Sequence, residues 1–464
     1  MIAALQKAVE YGRDLGATYA ELRVESLNRS SIEYKDGSVH NINKQIDEGA
    51  SIRVLVDGAW GFVSTSDLDL STLRASVKDA HSLAIGASKA RREPIQLAEA
   101  QPEEDTVAAQ FTKDPREVNP RDKIRYAENL WREIRQLDKR MSAVTVRLRD
   151  DVGTKYLVTS EGTQIETASG HVHLWSWLSG QEGSKLTGAR YACGSTSQGW
   201  EYFDEEMPPS VVANRLVQLV RHQLEGVPPK AGSFPCVLGG EVVGLLAHEA
   251  LGHLAEADLT LQSAFAGKIG QQVAPEGVYM IDDGTLPQGF GSDKYDDEGA
   301  RTTRVQIIKN GILAQLLTDR EYAKRTGLPI TGNARAEDYR FSPMIRMRNT
   351  FFERGDMADD ELFEGINFGY YCRSVAGGHA GLNASFQVGV QEAFEIIKGE
   401  IGRPVTDLSI AGIATEALKK ISGVGKDSFH LGPGRCGKGQ EALVGDGGPI
   451  MRFDQGPITI GGKT

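Results

Sequence analysis

Three dipeptides limit the folds open to this chain more than any other feature. Asp36-Gly37, Asp57-Gly58 and Asn310-Gly311 each join two segments of alternating or β-branched residues. Such pairs tolerate positive φ at both central positions of a tight hairpin, so each marks two antiparallel strands. The strand candidates are YAELRVES and SSIEYKDGSVHNINK around the first turn, GASIRVLVDGAWGFVST around the second, and VQIIK with ILAQLL around the third. SAVTVRLRD, TKYLVTS and TQIETASGHVHLWSWLSG add three more. Helices are expected in MIAALQKAVEYGRDLG, in STLRASVKDAHSLAIGASK, in PRDKIRYAENLWREIRQL behind the cap Asn119, in PSVVANRLVQLVRHQLEG and in ATEALKKIS. Because hairpins outnumber crossover helices, the fold class is α+β with largely antiparallel sheets, not a doubly wound parallel sheet.

The 464 residues exceed what one hydrophobic core usually holds, which leads us to expect two domains. VPPKAGSFP is the best boundary, dividing an N-terminal helix-and-hairpin domain (1–226) from a C-terminal, largely antiparallel β domain (236–464) that carries the helix of His248 and His253, the candidate metal-binding helix by its histidine spacing. Residues 92–120 contain Pro102, Pro115 and Pro120 and no periodicity, and read as a long loop. Helix, strand and hairpin recur in the same order within the first 205 residues, as a duplication or by chance.

A net charge of -11 argues against a nucleic-acid partner, since phosphate recognition needs a basic face. No uncharged apolar run approaches the roughly 18 residues that span a bilayer, and the N-terminus lacks the pattern of a signal peptide. Neither membrane association nor export is therefore expected. The four cysteines have no close spacing, which suits a reducing cytoplasm.

PCVLGGEVVGLLAHEALGHLAEAD runs from a strand into a helix and holds the most informative residues, His248, Glu249 and His253. Two histidines on one helix with a glutamate beside the first are the pattern of zinc peptidases, in which the glutamate deprotonates metal-bound water. Here the spacing is i, i+5, which on a regular helix rotates the second ring about 140° from the first. A π-type bulge would restore a shared face, and Gly252 weakens regular helix at that point. Catalytic zinc needs a third protein ligand. Cys436, flanked by glycines in HLGPGRCGKGQ, is a candidate, with an incidental turn cysteine as the other reading. Cys193, Cys236 and Cys372 read as small core residues.

Other residues are weaker candidates. Glu256 lies three residues past His253 and could orient it, although a solvated helix charge is the commoner case. His171 and His173 share one strand face, His430 could supply or replace a ligand, and His379 could touch substrate; packed or turn histidines are the commoner reading for all four. SFQVGVQEAF is a candidate exposed edge for holding substrate as an added strand.

His248-Glu249-x-x-x-His253 with Glu256 and Asp258, then IDDGT (281–285), TGNAR (331–335), RMRNT (346–350) and CGKGQ (436–440), resembles the zinc-bearing half of the TldD/PmbA metalloprotease family, strongly over residues 235–464 and more loosely before. The resemblance implies zinc held by His248, His253 and Cys436, with Glu249 as catalytic base. It further implies a homodimer, or a heterodimer with a metal-free relative, enclosing a cavity that admits unfolded or small peptides. CGKGQ is one residue shorter than the family's usual run, which leaves the shape of that loop open. A thiolate ligand donates more charge than a third imidazole, which shifts more of the deprotonation to Glu249. The competing readings are a peptide-binding scaffold with a structural metal and a modulator of a DNA-processing enzyme.

Overall fold

The computed structural model describes residues 1–462. All three expected hairpin turns form with both central residues at positive φ: 46° and 90° at Asp36-Gly37, 49° and 72° at Asp57-Gly58, and 49° and 79° at Asn310-Gly311. The first turn joins two very long strands, Tyr19–Lys35 and Ser38–Val56.

A seven-stranded sheet takes in every strand up to Ser195. Its order is Ala59–Thr65, Ser38–Val56, Tyr19–Lys35, Met141–Thr159, Gln164–Glu182 and Glu104–Val107, with Lys185–Ser195 also paired to Gln164–Glu182. Helices Ile2–Asp14 and Leu70–Ser88 bury Leu5, Leu73 and Val77 against Leu22 and Ile52 of this sheet. Helices Pro120–Leu137 and Pro209–Glu225 form a second core with Leu130, Ile134, Val146 and Leu216. In Pro120–Leu137 the buried positions Lys123, Tyr126, Ala127, Leu130 and Ile134 follow helical spacing, and the Asn119 side chain accepts a hydrogen bond from Arg121 N. Burying one such Leu or Ile side chain contributes roughly 1.5–3 kcal/mol.

Two local expectations are corrected. SAVTVRLRD and TKYLVTS are one strand, Met141–Thr159, because Gly153 passes Leu27 so closely that a Cβ there would lie 1.9 Å from Ser26 O. The glycine that reads as a break is the residue that lets the strand continue. The 92–120 segment is likewise not all loop: Glu104–Val107 joins the sheet in parallel with Gln164–Glu182.

From Gly232 onward the chain builds two further extended, mostly antiparallel sheets, of nine and six strands. The nine-stranded one is ordered Ile421–Val424, Met451–Phe453, Cys236–Leu238, Phe368–Ala380, Ser385–Ile397, Leu408–Ile413, Ile458–Gly462 and Gly232–Ser233, with Glu400–Val405 also on Ser385–Ile397. SFQVGVQEAF therefore lies inside this sheet, paired on both sides, and presents no free edge. The six-stranded sheet is ordered Ile312–Leu313, Arg304–Lys309, Met280–Asp283, Asn349–Phe352, Glu441–Gly448 and His430–Gly437. A helix beginning at Gly240 is packed between these sheets. It approaches so closely that a Cβ at Gly244 would lie 2.4 Å from Gly447 N.

Candidate metal centre

The buried helix changes pitch where the sequence requires it. Gly240–Leu245 is α-helical, Leu246–Gly252 is π-helical and His253–Ala255 is α-helical again. The wider turn absorbs the extra residue of the i, i+5 spacing, and the His248 and His253 rings stand 5.2 Å apart, centroid to centroid. Gly252 has ordinary helical angles, φ -60° and ψ -47°, so its role is steric. A Cβ at that position would lie 2.1 Å from Met347 Sδ.

Cys436 arrives from the strand His430–Gly437, and its Sγ lies 3.3 Å from His253 Nε2 across 183 residues of sequence. One donor atom from each of His248, His253 and Cys436 falls within 4.8 Å of the others, and all three side chains are buried or half-buried. The cysteine loop is clamped from behind. Fully buried Arg346 donates to Cys436 O and to Gln440 O, each at 2.6 Å. Lys438 Nζ reaches Glu256 Oε2 at 3.1 Å, Asp258 Oδ1 at 2.8 Å and Ile345 O at 3.0 Å.

Glu256 is not a solvated helix charge. It is fully buried, and its Oε2 lies 2.8 Å from His253 Nδ1. With Nδ1–H donating to that carboxylate, His253 Nε2 is the ring atom directed at the cysteine side of the cluster, and it offers a lone pair there once the ring is neutral. Burial works against charge on His253, but the hydrogen bonds to Cys436 and Glu256 outweigh it and raise its pKa to about 10. Burial, followed by the charges of His253 and Arg346, holds the His248 pKa well below its usual range, so that imidazole is neutral. Its Nδ1 is buried without a hydrogen-bond partner among the described residues. Two imidazoles, one of them with an unsatisfied ring nitrogen, and a thiol converging in one place form a donor set of the kind zinc takes.

Glu249 is half-buried beside this cluster, its Oε2 3.9 Å from His253 Nε2. Burial raises its pKa above the usual carboxylate range, against the opposing charges of His253 and His379. His248 and Glu249 line a cavity of about 680 Å³ whose walls come from both halves of the chain. His173, Trp175 and Arg190 enter from the N-terminal sheet, and His430, Gln391 and Asp446 from the C-terminal sheets. Burial, then Glu249 and Glu241, pushes the Asp446 carboxyl up to about 7.

The weaker candidates separate accordingly. His430 is on the cavity wall but outside the donor cluster. His379 is exposed on the strand Phe368–Ala380 rather than in a turn, close enough in charge to influence Glu249. His171 and His173 both pack on Phe290, and burial lowers their pKa values to about 4 and about 3. Lys438, Arg346, Asp446 and Arg190 escape the sequence reading. The first two lie inside recognised motifs, so their presence was visible, although their partners were not.

Family models match along most of the chain: PmbA/TldA metallopeptidase domain 1 over residues 20–84, the central domain over 113–224 and the C-terminal domain over 231–459. A metalloprotease of Methanothermobacter thermautotrophicus is 36% identical over 94% of this chain and 94% of its own length. A zinc metalloprotease TldD homolog of Saccharolobus solfataricus is 31% identical over 98% of this chain and 99% of its own. Among solved structures, TldE from Thermococcus kodakarensis superposes with a TM-score of 0.79 at 19% identity, covering 98% of this chain and 99% of that one; at this identity the likeness speaks for the fold. The fold and these matches define a metallopeptidase family. The chain belongs to the PmbA/TldD family.

Proposed function

We propose that the protein is a zinc-dependent peptidase in which His248, His253 and Cys436 hold the metal and Glu249 is the general base. The observation that carries this reading is the convergence of the three donors beside a partly open carboxylate on the wall of a large cavity. Bound zinc supplies Lewis acidity toward a scissile carbonyl and toward water. Glu249 takes a proton from the attacking water and delivers it to the leaving amine, a role favoured by the upward shift that burial gives its pKa. Glu256 fixes the tautomer and direction of His253, and against its burial the hydrogen bond and charge of His253, then the charge of Lys438, hold Glu256 ionised.

In this reading the substrates are unfolded or small peptides, which a cavity of about 680 Å³ walled by both halves of the chain supports. A dimer, of two copies or with a family relative, completes the enclosure. Strand ladders that stay within residues 19–195 or within 232–462 support a division into units 1–226 and 236–464. No helix among the described residues is long and apolar enough to cross a membrane. Four unpaired, buried cysteines support a reducing compartment such as the cytoplasm.

A scaffold with a structural metal is the second reading. It is less well supported, because a structural site closes its fourth position with a protein ligand, whereas a carboxylate facing a cavity stands beside this one. Elemental analysis combined with digestion of an unstructured peptide pool separates the two. Zinc with cleavage supports the peptidase, and zinc without cleavage of any peptide favours the scaffold.

A further inference from the structure

Arg190 belongs to the strand Lys185–Ser195 at an edge of the N-terminal sheet, and it reaches the same cavity as His248 and Glu249. Its backbone is gripped from the opposite half of the chain. Arg190 N–H donates to Gln391 Oε1 at 3.0 Å, and Gln391 Nε2 donates to Arg190 O and to Ser374 Oγ, each at 3.0 Å. This clamp fixes where the side chain starts.

The guanidinium has no comparable tie. Among the described residues it makes no side-chain hydrogen bond, no ion pair and no aromatic stack, and burial lowers its pKa against the attraction of Asp446 and Glu241. Neither carboxylate is bonded to it. Glu241 is engaged by Arg215 Nη2 at 3.4 Å and by the Ser374 hydroxyl. Gly377 borders the group, where a Cβ would stand in ordinary contact, 3.5 Å from Arg190 Nη2. Gly377 has φ 142°, at the point where Phe368–Ala380 slips register against Ser385–Ile397.

A partly desolvated guanidinium with no protein partner among the described residues is left to the solvent of the cavity, and a planar anion completes it best because its forked N–H groups match two carboxylate oxygens. Resting on the peptidase reading for the nature of the ligand, we propose that Arg190 binds a carboxylate of the peptide substrate. That carboxylate is supplied either by the C-terminus or by an Asp or Glu side chain, and Arg190 thereby sets where the peptide lies relative to the metal centre.

The test measures binding, so it is independent of turnover. Zinc-loaded protein carrying Glu249→Gln is titrated with a labelled eight-residue unstructured peptide containing one Glu, as the free acid, as the C-terminal amide, with Glu replaced by Gln, and with both changes. The peptide lacking both carboxylates is expected to bind about 10- to 100-fold more weakly than the parent. Amidation alone reproducing the loss assigns the C-terminus, and Glu replacement alone reproducing it assigns the side chain. Adding Arg190→Gln is expected to bring the ratio near one, while Arg190→Lys, which keeps charge but not the fork, restores it in part. Equal affinity for all four peptides, no binding of any, or an unchanged ratio in Arg190→Gln overturns the proposal. Failure of the peptidase reading shows separately, as absent zinc or absent cleavage by the unsubstituted protein.

Discussion

Lys438 Nζ lies 3.1 Å from Glu256 Oε2, so the glycine-rich loop that delivers Cys436 is ionically tied to the carboxylate that holds His253. Lys438 has 13% of its side chain exposed and Glu256 none, which places the pair where removal of one partner strands the other. Lys438→Met and Glu256→Gln are therefore each expected to weaken zinc binding by about 10- to 100-fold. Competition with a chromophoric chelator measures this. Unchanged zinc affinity in both variants would show that the tie has no bearing on the metal.

Glu249→Gln removes the proposed proton acceptor while keeping the shape of the side chain. Turnover of an unstructured peptide is expected to fall by about 10²- to 10⁴-fold, with zinc content unaltered. Retention of full activity would remove Glu249 from the mechanism. Loss of zinc together with activity would instead make it a ligand.

The raised pKa of His253 has two consequences of definite sign. In the metal-free protein the imidazole is protonated up to about pH 10, whereas a ligand must be neutral, so zinc competes with a proton. Apparent zinc affinity is expected to climb as pH rises from 7 toward 9, approaching tenfold per unit where this proton alone is displaced. The metal-free fold behaves in the opposite sense. A pKa raised from about 6.5 to about 10 contributes stability that is complete below 6.5 and is lost as pH rises through 10. Isothermal titration and chelator-treated thermal melts across this range check both, and a zinc affinity independent of pH would exclude a charged His253.

Gly252 faces Met347 at a distance that leaves no room for a methyl group. Gly252→Ala is expected to destabilise the fold by about 1–3 kcal/mol, although alanine is the better helix former. Combined with Met347→Ala, the two losses should fall short of their sum, because the second change opens the space that the first needs. Denaturant midpoints of the four proteins complete the cycle. Additive losses would point to backbone preference rather than contact.

The bulged helix illustrates how far the sequence reaches. His248 and His253 stand five apart with a glycine between them, and a shared face for two rings at that spacing calls for a π-helical turn, which Leu246–Gly252 adopts. The hairpins at Asp36-Gly37, Asp57-Gly58 and Asn310-Gly311 are legible for the same reason, since positive φ is a property of one or two residues. Gly153 marks the limit: as a local signal it suggests a break, and only the strand beside it shows that it permits continuation. The edge strand expected at SFQVGVQEAF fails in the same way, because edge and centre differ in their neighbours and not in their own alternation.

The sequence by itself determined the turns, the helix periodicity, the bulge between the histidines and, through several ordered motifs, the family. Tertiary structure alone decided that Cys436 meets His253 across 183 residues, that Glu256 is buried rather than solvated, and that the Arg190 guanidinium, without a protein partner among the described residues, shares a cavity with His248 and Glu249. The division has one physical cause. Backbone preferences act over a few residues and are carried by residue type, whereas burial and charge pairing depend on which distant surfaces the packed core brings together.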